Sequence, residues 1–216
     1  MSQPRAALWD MDGTLIDSGE EHWDAWVEVL GDEGYTLTRA DFNALFGRRN
    51  ADLLHCYLGT CPPEHMARMC KLKEQRYRDN VRRRGTTMMP GARALVERLA
   101  ASGWRQAIAT AAPRANAEAV LAALGIAERF DAIIASEDVV VGKPDPSVFL
   151  VAAERLGVTP ERSIVLEDAP FGIEAARRAG MRSIGICTLH PSLEADIPVR
   201  SLEELPAEFF DTLVPE

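Results

Sequence analysis

The chain has 216 residues, of which 47% are hydrophobic, and a formal net charge of −9 at pH 7. That length allows one full domain and a smaller second unit, and the acidic balance argues against nucleic acid as a partner, because a phosphate backbone wants a basic surface. No window approaches the ~18 uninterrupted apolar residues of a membrane span, and an acidic cluster beginning at Asp10 interrupts any signal-peptide core, so the expectation is a cytoplasmic protein with no membrane partner.

In chain order, a short apolar run at 6–9 comes first, followed by Asp10-Met11-Asp12-Gly13. From about residue 17 to 84 no strand pattern appears. Amphipathic helical patterns take its place at 20–30, 39–45, 51–58 and 64–84, with breaks near Gly31–Gly34, Gly47 and Cys61–Pro63. Pro90-Gly91 marks the return to alternation. Helical patterns at 92–101, 115–124, 147–156 and 172–179 then alternate with apolar runs at 106–109, 132–135, 163–166 and 183–187. Gly103, Gly125, Gly157 and Gly180 stand just past those helices, where a C-cap is expected. Short apolar strands alternating with helices imply a parallel sheet covered on both faces. The predicted fold is therefore α/β: a doubly wound parallel-sheet, Rossmann-like core formed by residues 1–16 and 88–216, with an inserted helical cap at 17–87.

Two compositional features within the insert have plain readings. Cys56, Cys61 and Cys70 fall in one helical stretch, and Cys187 ends an apolar run. None makes a C-x-x-C pair or a zinc spacing, so reduced structural thiols are expected. Residues 68–84 carry Arg68, Lys71, Lys73, Arg76, Arg78, Arg82, Arg83 and Arg84. A solvated helix face explains them most simply; the alternative is that some draw an anionic substrate toward a nearby site.

Ligands of doubly wound sheets bind beyond the carboxyl ends of the strands, so the residues after each run matter most. The first run delivers Asp10 and Asp12, with Gly13 to turn the chain. The second delivers Thr110, then Ala111-Ala112-Pro113, with Pro113 near the start of the next helix, where free N–H groups can hold an anion. Lys143 follows the third run within Gly142-Lys143-Pro144, and Glu167-Asp168 follow the fourth. Each piece alone is a common turn or cap. Together they bring carboxylates, a hydroxyl and an ammonium to one edge. Carboxylates ~4 Å apart repel by roughly 4 kcal/mol per pair at an effective dielectric near 20. A hard divalent cation with oxygen ligands relieves that repulsion, which points to Mg²⁺. With Lys143, Thr110 and helix N–H groups added, the edge reads as a pocket for phosphoryl transfer.

The motifs DMDGT, the Thr of IATAA, GKP and LED resemble the signatures of the haloacid dehalogenase superfamily, in the expected order from Arg5 to about Cys187. The insertion point after DMDGTL is similar to that of the group containing β-phosphoglucomutase and small sugar-phosphate phosphatases. The resemblance implies that Asp10 attacks phosphorus and forms an aspartyl-phosphate, and that Asp12 acts as acid and then base, with a pKa raised by its neighbours. It also implies metal binding by Asp10, the Asp12 carbonyl, Asp168 and Glu167. Thr110, Ala111 and Lys143 are expected to hold the transferring oxygens. Asp12 argues against a dehalogenase, which generally lacks an acid there.

The stretch DSGEEHWDAW at 17–26 resembles the opening of the mutase cap, so His22 is a candidate for contact with Asp12 or a sugar hydroxyl; a half-exposed helix histidine is the plainer reading. Trp23 and Trp26 are expected to pack the cap core. Arg48 and Arg49, in Gly47-Arg48-Arg49-Asn50, are substrate-contact candidates. They stand one step early relative to the mutase's serine-arginine pair, and Pro113 stands where the mutase tends to carry a lysine. The expected protein is a monomeric Mg²⁺-dependent phosphatase of a small phosphorylated metabolite, with a sugar phosphate as the leading class. A β-phosphoglucomutase-type mutase is the alternative, and a non-catalytic binding module a distant one. The segments 15–19 and 85–89 are expected to hinge cap and core.

Overall fold

Strand β1 (Ala6–Trp9) is apolar and buried along its whole length, as a strand must be when helices cover both faces of its sheet. The computed structural model describes residues 3–45, 50–188, 190–206 and 209–214. After β1 come the two-residue strand β2 (Ile16–Asp17) and helices α1 (Gly19–Asp32), α2 (Arg39–Leu45), α3 (Asn50–Leu58) and α4 (Pro63–Arg84). Strand β3 (Thr87–Met88) returns the chain to alternation: α5 (Ala92–Ala101), β4 (Arg105–Ala109), α6 (Arg114–Leu124), β5 (Ala132–Ile134) and α7 (Ser147–Leu156). Then follow β6 (Ser163–Glu167), α8 (Pro170–Arg178), β7 (Arg182–Ile186), β8 (Ile197–Val199) and α9 (Phe209–Leu213). The large sheet has six strands in the order β5-β4-β1-β6-β7-β8, all parallel.

Side chains alternate faithfully across this sheet. Ala7, Trp9, Ile108, Ile164, Leu166, Ile184 and Ile186 face one cluster with Leu95, Val96 and Leu99 of α5 and Ala117 and Val120 of α6. Ala6, Leu8, Ala107, Ala109 and Val165 face the other, with Val148, Phe149 and Ala152 of α7 and Ala175 and Ala176 of α8. Each fully buried large aliphatic or aromatic side chain contributes about 1.5–3 kcal/mol relative to exposure. The frame under the site is thus held by apolar burial, which leaves the polar edge free to serve chemistry. Strand β8 escapes the sequence pattern because it is short and carries Pro198, which cannot donate to a ladder and is tolerated at a sheet edge.

The inserted helices bury a cluster of their own, in which Trp26, Val29 and Leu30 of α1 meet Phe42, Leu54 and Met69. Trp23 lies edge-on to Phe42, with ring centroids 5.4 Å apart, under the Arg39 guanidinium. Ala25, Tyr77 and Val81 belong instead to the sheet-side cluster, so α1 and α4 carry apolar residues toward both. Helix α4 packs along α1 and along α6. The insert departs and returns through β2 and β3, which pair antiparallel with Ile16 opposite Met88 and Asp17 opposite Thr87. The cysteines need a correction: Cys56 lies on α3, Cys70 on α4 and Cys61 between them, so a loop divides what the sequence suggests is one helical stretch. All four cysteines are free thiols. No helix among the described residues is long and apolar enough to cross a membrane.

Candidate active site

The sheet order reverses at β1: β4 and β5 lie on one side of it, and β6, β7 and β8 on the other. Such a switch point opens a crevice at the strands' carboxyl ends. Trp9 is in register with Ile108 and Leu166, so the residues just beyond converge on that crevice. The Asp10 N–H donates to the Leu166 carbonyl at 3.0 Å. Thr110 follows β4 directly. Glu167 is the last residue of β6 itself, and Asp168 is the first beyond it.

Asp10, Glu167 and Asp168 are buried, and each offers a carboxylate oxygen within 4.8 Å of the others. The Lys143 ammonium donates to Asp10 Oδ1 at 2.6 Å and to Glu167 Oε1 at 2.7 Å. Two glycines make room for this cluster. A β-carbon on Gly13, whose φ is +84°, would lie 2.1 Å from Asp168 Oδ2, and one on Gly172 would lie 1.8 Å from Glu167 Oε1. Thr14 Oγ1 donates to Asp168 Oδ1 at 3.3 Å, and the Ala169 N–H donates to Glu167 Oε2 at 2.7 Å.

Burial pushes the Asp10 carboxyl well above the usual range; Lys143 opposes this, while Glu167 and Asp168 add to it. Asp168 is pushed up to about 7, by burial first and then by the charge of Glu167. Lys143 is raised despite its burial, because Asp10 and Glu167 outweigh the desolvation. One ammonium therefore faces three buried carboxylates, two of which resist ionisation, first because burial removes their water and then because they repel one another. An all-oxygen donor set short of cations fits a hard divalent ion, and Asp10, Glu167 and Asp168 would hold it.

The Asp12 carboxylate is held by other partners. Its Oδ1 accepts from Ser18 Oγ at 2.6 Å and lies 3.2 Å from His22 Nε2. Lys73 Nζ is 2.8 Å from His22 Nδ1. An ammonium has no lone pair, so Nδ1 must accept and the ring proton sits on Nε2, directed at Asp12. Burial alone would raise the Asp12 carboxyl, but His22, Ser18 and Lys73 prevail and hold it below the usual range. This corrects the expectation of a raised Asp12: donors from the insert, invisible in the local motif, surround its carboxylate. His22 is no solvated helix histidine; it also stacks on Tyr77, with ring centroids 4.2 Å apart.

Sequence reasoning missed the residues behind His22. Lys73 is 3% exposed and Asn116 fully buried, and Glu74 accepts from Lys73 at 2.9 Å and from Asn50 at 2.6 Å on Oε1. The one sequence signal was a lysine-glutamate pair at the centre of a basic helix. The rest of that basic stretch is mostly paired: Arg68 with Glu33, Arg76 with Glu28 and Asp32, Arg82 with Asp79 and Arg84 with Asp24. Those acids lie on α4 itself and on or just after α1, which removes the reason to treat the stretch as an anion funnel. Thr110 is buried at the crevice, its Oγ1 accepting from the Ala112 N–H at 3.0 Å, and Ala111 is exposed beside it. Arg48 and Arg49 lie outside the described residues.

A buried carboxylate cluster bridged by lysine, at the switch point of a doubly wound sheet with a helical insert after its first strand, defines an α/β protein with an acidic site at its strand ends. The model of haloacid dehalogenase-like hydrolases matches residues 4–180. The chain belongs to that family. It is 34% identical over 187 residues to fructose-1-phosphate phosphatase YqaB of Escherichia coli, covering 83% of this chain and 94% of that protein. It is 30% identical over 204 residues to validoxylamine A 7'-phosphate phosphatase of Streptomyces hygroscopicus, covering 93% and 95%. Among solved structures, CbbY from Rhodobacter sphaeroides in complex with phosphate superposes with a TM-score of 0.85 at 29% identity, covering 94% of this chain and 96% of that one.

Proposed function

We propose that this chain is a Mg²⁺-dependent phosphatase that hydrolyses a small phosphorylated metabolite of the sugar-phosphate class through an aspartyl-phosphate on Asp10. The observation that carries this reading is the buried Asp10–Lys143–Glu167–Asp168 cluster beside an Asp12 that is hydrogen-bonded on its own account. Family membership and the phosphatase relatives support it. Residues 1–16 and 88–216 act as the core and 17–87 as the cap, in a monomeric cytoplasmic enzyme.

Asp10 is the nucleophile because it follows the central strand, and Lys143, 2.6 Å away, opposes the burial that raises its carboxyl. Mg²⁺ held by Asp10, Glu167 and Asp168 would supply further positive charge to offset the repulsion between carboxylate and phosphate. Attack by an Asp10 oxygen forms the O–P bond and breaks the bond from phosphorus to the substrate oxygen. That oxygen takes a proton from Asp12 and leaves as an alcohol. Asp12 then removes a proton from water, whose oxygen attacks phosphorus and releases inorganic phosphate from Asp10. Because His22 and Ser18 hold Asp12 as a carboxylate in the free protein, the arriving phosphate dianion must raise its pKa for the first step. The resting arrangement already suits the second step. Lys143, Thr110 and the Ala111 N–H hold the transferring oxygens.

Pro113, at the start of α6, stands where a mutase would place a lysine, so hydrolysis is favoured over isomerisation. A screen of phosphorylated metabolites with Mg²⁺, run beside Asp10→Asn, tests the proposal. Phosphate release by wild type and none by the variant is expected. Conversion of β-glucose 1-phosphate to glucose 6-phosphate without phosphate release would replace it with the mutase. An absence of turnover across the panel would leave a binding module.

A further inference from the structure

Asn116 is an unexpected residue for its place. Asparagine is a weak helix former, and this one sits in the first turn of α6 without capping it. It is fully buried, and both ends of its amide are spent on another helix. Nδ2 donates to Glu74 Oε2 in a short hydrogen bond, and Oδ1 accepts from Arg78 Nη1 at 2.9 Å. Glu74 and Arg78 are four residues apart on α4 and so share one helix face.

From Glu74 the contacts run on without a break: Glu74 Oε1 to Lys73 Nζ at 2.9 Å, Lys73 Nζ to His22 Nδ1 at 2.8 Å, and His22 Nε2 to Asp12 Oδ1 at 3.2 Å. The chain begins on the sheet side, crosses the helical insert and returns to the sheet side at the loop after β1. Its two ends belong to the part that carries Asp10, whereas its middle belongs to the part joined to it only through β2 and β3 along the backbone. Such a path is complete only when α4 is seated on α6. Without Asn116 the buried Glu74 carboxylate would lose the donor to Oε2 and keep only Asn50 and Lys73 on Oε1, so the oxygen that holds Lys73 against His22 would be less firmly fixed.

We propose that Asn116 is a positioning residue that, through Glu74 and Lys73, fixes the orientation of His22 against Asp12. The proposal rests on Asp12 being the acid–base group. A purely structural glue between two helices would also use these contacts, but it would not link Asn116 to Lys73 in the kinetics.

A double-mutant cycle separates the two. Phosphate release is measured with fructose 1-phosphate, or with the fastest phosphomonoester of the metabolite screen, for wild type, Asn116→Ala, Lys73→Met and the double variant. Asn116→Ala is expected to lower kcat by about 10- to 100-fold, as small misplacements of reacting groups do, with KM changing less than about threefold. In the Lys73→Met background the same substitution should change kcat by less than about twofold, since groups acting as one unit are not additive. Asn116→Leu, similar in shape and without the donor to Glu74, should match Asn116→Ala and carries the comparison if the alanine variant does not fold. The imidazole ¹⁵N resonances of His22 should move in Asn116→Ala as they do in Lys73→Met. Equal losses in both backgrounds, a loss confined to KM, or unmoved His22 resonances in an active wild type would overturn the proposal. A wild type without phosphate release would instead fail the phosphatase reading, and this one with it.

Discussion

Replacing Asp168 by asparagine should stabilise the metal-free protein while abolishing its response to Mg²⁺. Asp168 is 7% exposed, faces Glu167 and Asp10 within 4.8 Å, and has its carboxyl raised from 3.8 to about 7, by burial first and Glu167 next. A raised folded-state pKa means that the native protein binds this proton more tightly than the unfolded chain does. The associated stability is present below about pH 4 and is lost as pH rises through about 7. The full shift corresponds to about 4 kcal/mol, and relaxation of side chains and water brings the expected gain of Asp168→Asn at pH 8 to roughly 2–3 kcal/mol. For a chain of this size that is roughly 5–10 °C in unfolding midpoint. The assay is thermal unfolding in EDTA at pH 8 and pH 5, repeated with Mg²⁺. The asparagine variant should lead at pH 8 and lose its lead at pH 5, where wild type is protonated, and only wild type should gain from Mg²⁺. A variant less stable than wild type in EDTA at pH 8, or an equal difference at both pH values, would refute the view that this cluster is short of positive charge.

Lys143→Met should act in the opposite direction, because it removes the ammonium shared by two buried carboxylates. Breaking such a pairing costs about 3–5 kcal/mol, so the midpoint in EDTA should fall, and Mg²⁺ should restore part of it; calorimetry checks both. Gly13→Ala should weaken Mg²⁺ or Mn²⁺ binding by more than about tenfold, since its β-carbon would lie 2.1 Å from an Asp168 oxygen on a backbone with φ of +84°. Titration calorimetry measures this, and unchanged affinity would mean that Asp168 does not hold the ion.

The sequence by itself was enough for the sheet and its edge. Strands β1, β4, β5, β6 and β7 are short apolar runs bounded by helices, and Asp10, Thr110, Lys143, Glu167 and Asp168 follow or end those runs, so strand direction alone sends them to one edge. That logic is local: period, length and the residue after the strand. The weak edge strand β8 lay beyond it because Pro198 interrupts so short a run.

What surrounds Asp12 was decided only by tertiary structure. Ser18 is six residues from Asp12 and His22 ten, but Lys73 is 51 residues from His22 and Asn116 42 from Glu74. No spacing rule connects positions brought together by packing α4 on both α1 and α6. In the sequence Lys73 looks like any other cation of a basic helix, and only the contacts of that helix distinguish this buried member of the path to Asp12 from charges paired at the surface. A carboxylate's protonation depends on the donors within about one hydrogen-bond length of it, and for Asp12 those donors arrive from another part of the fold.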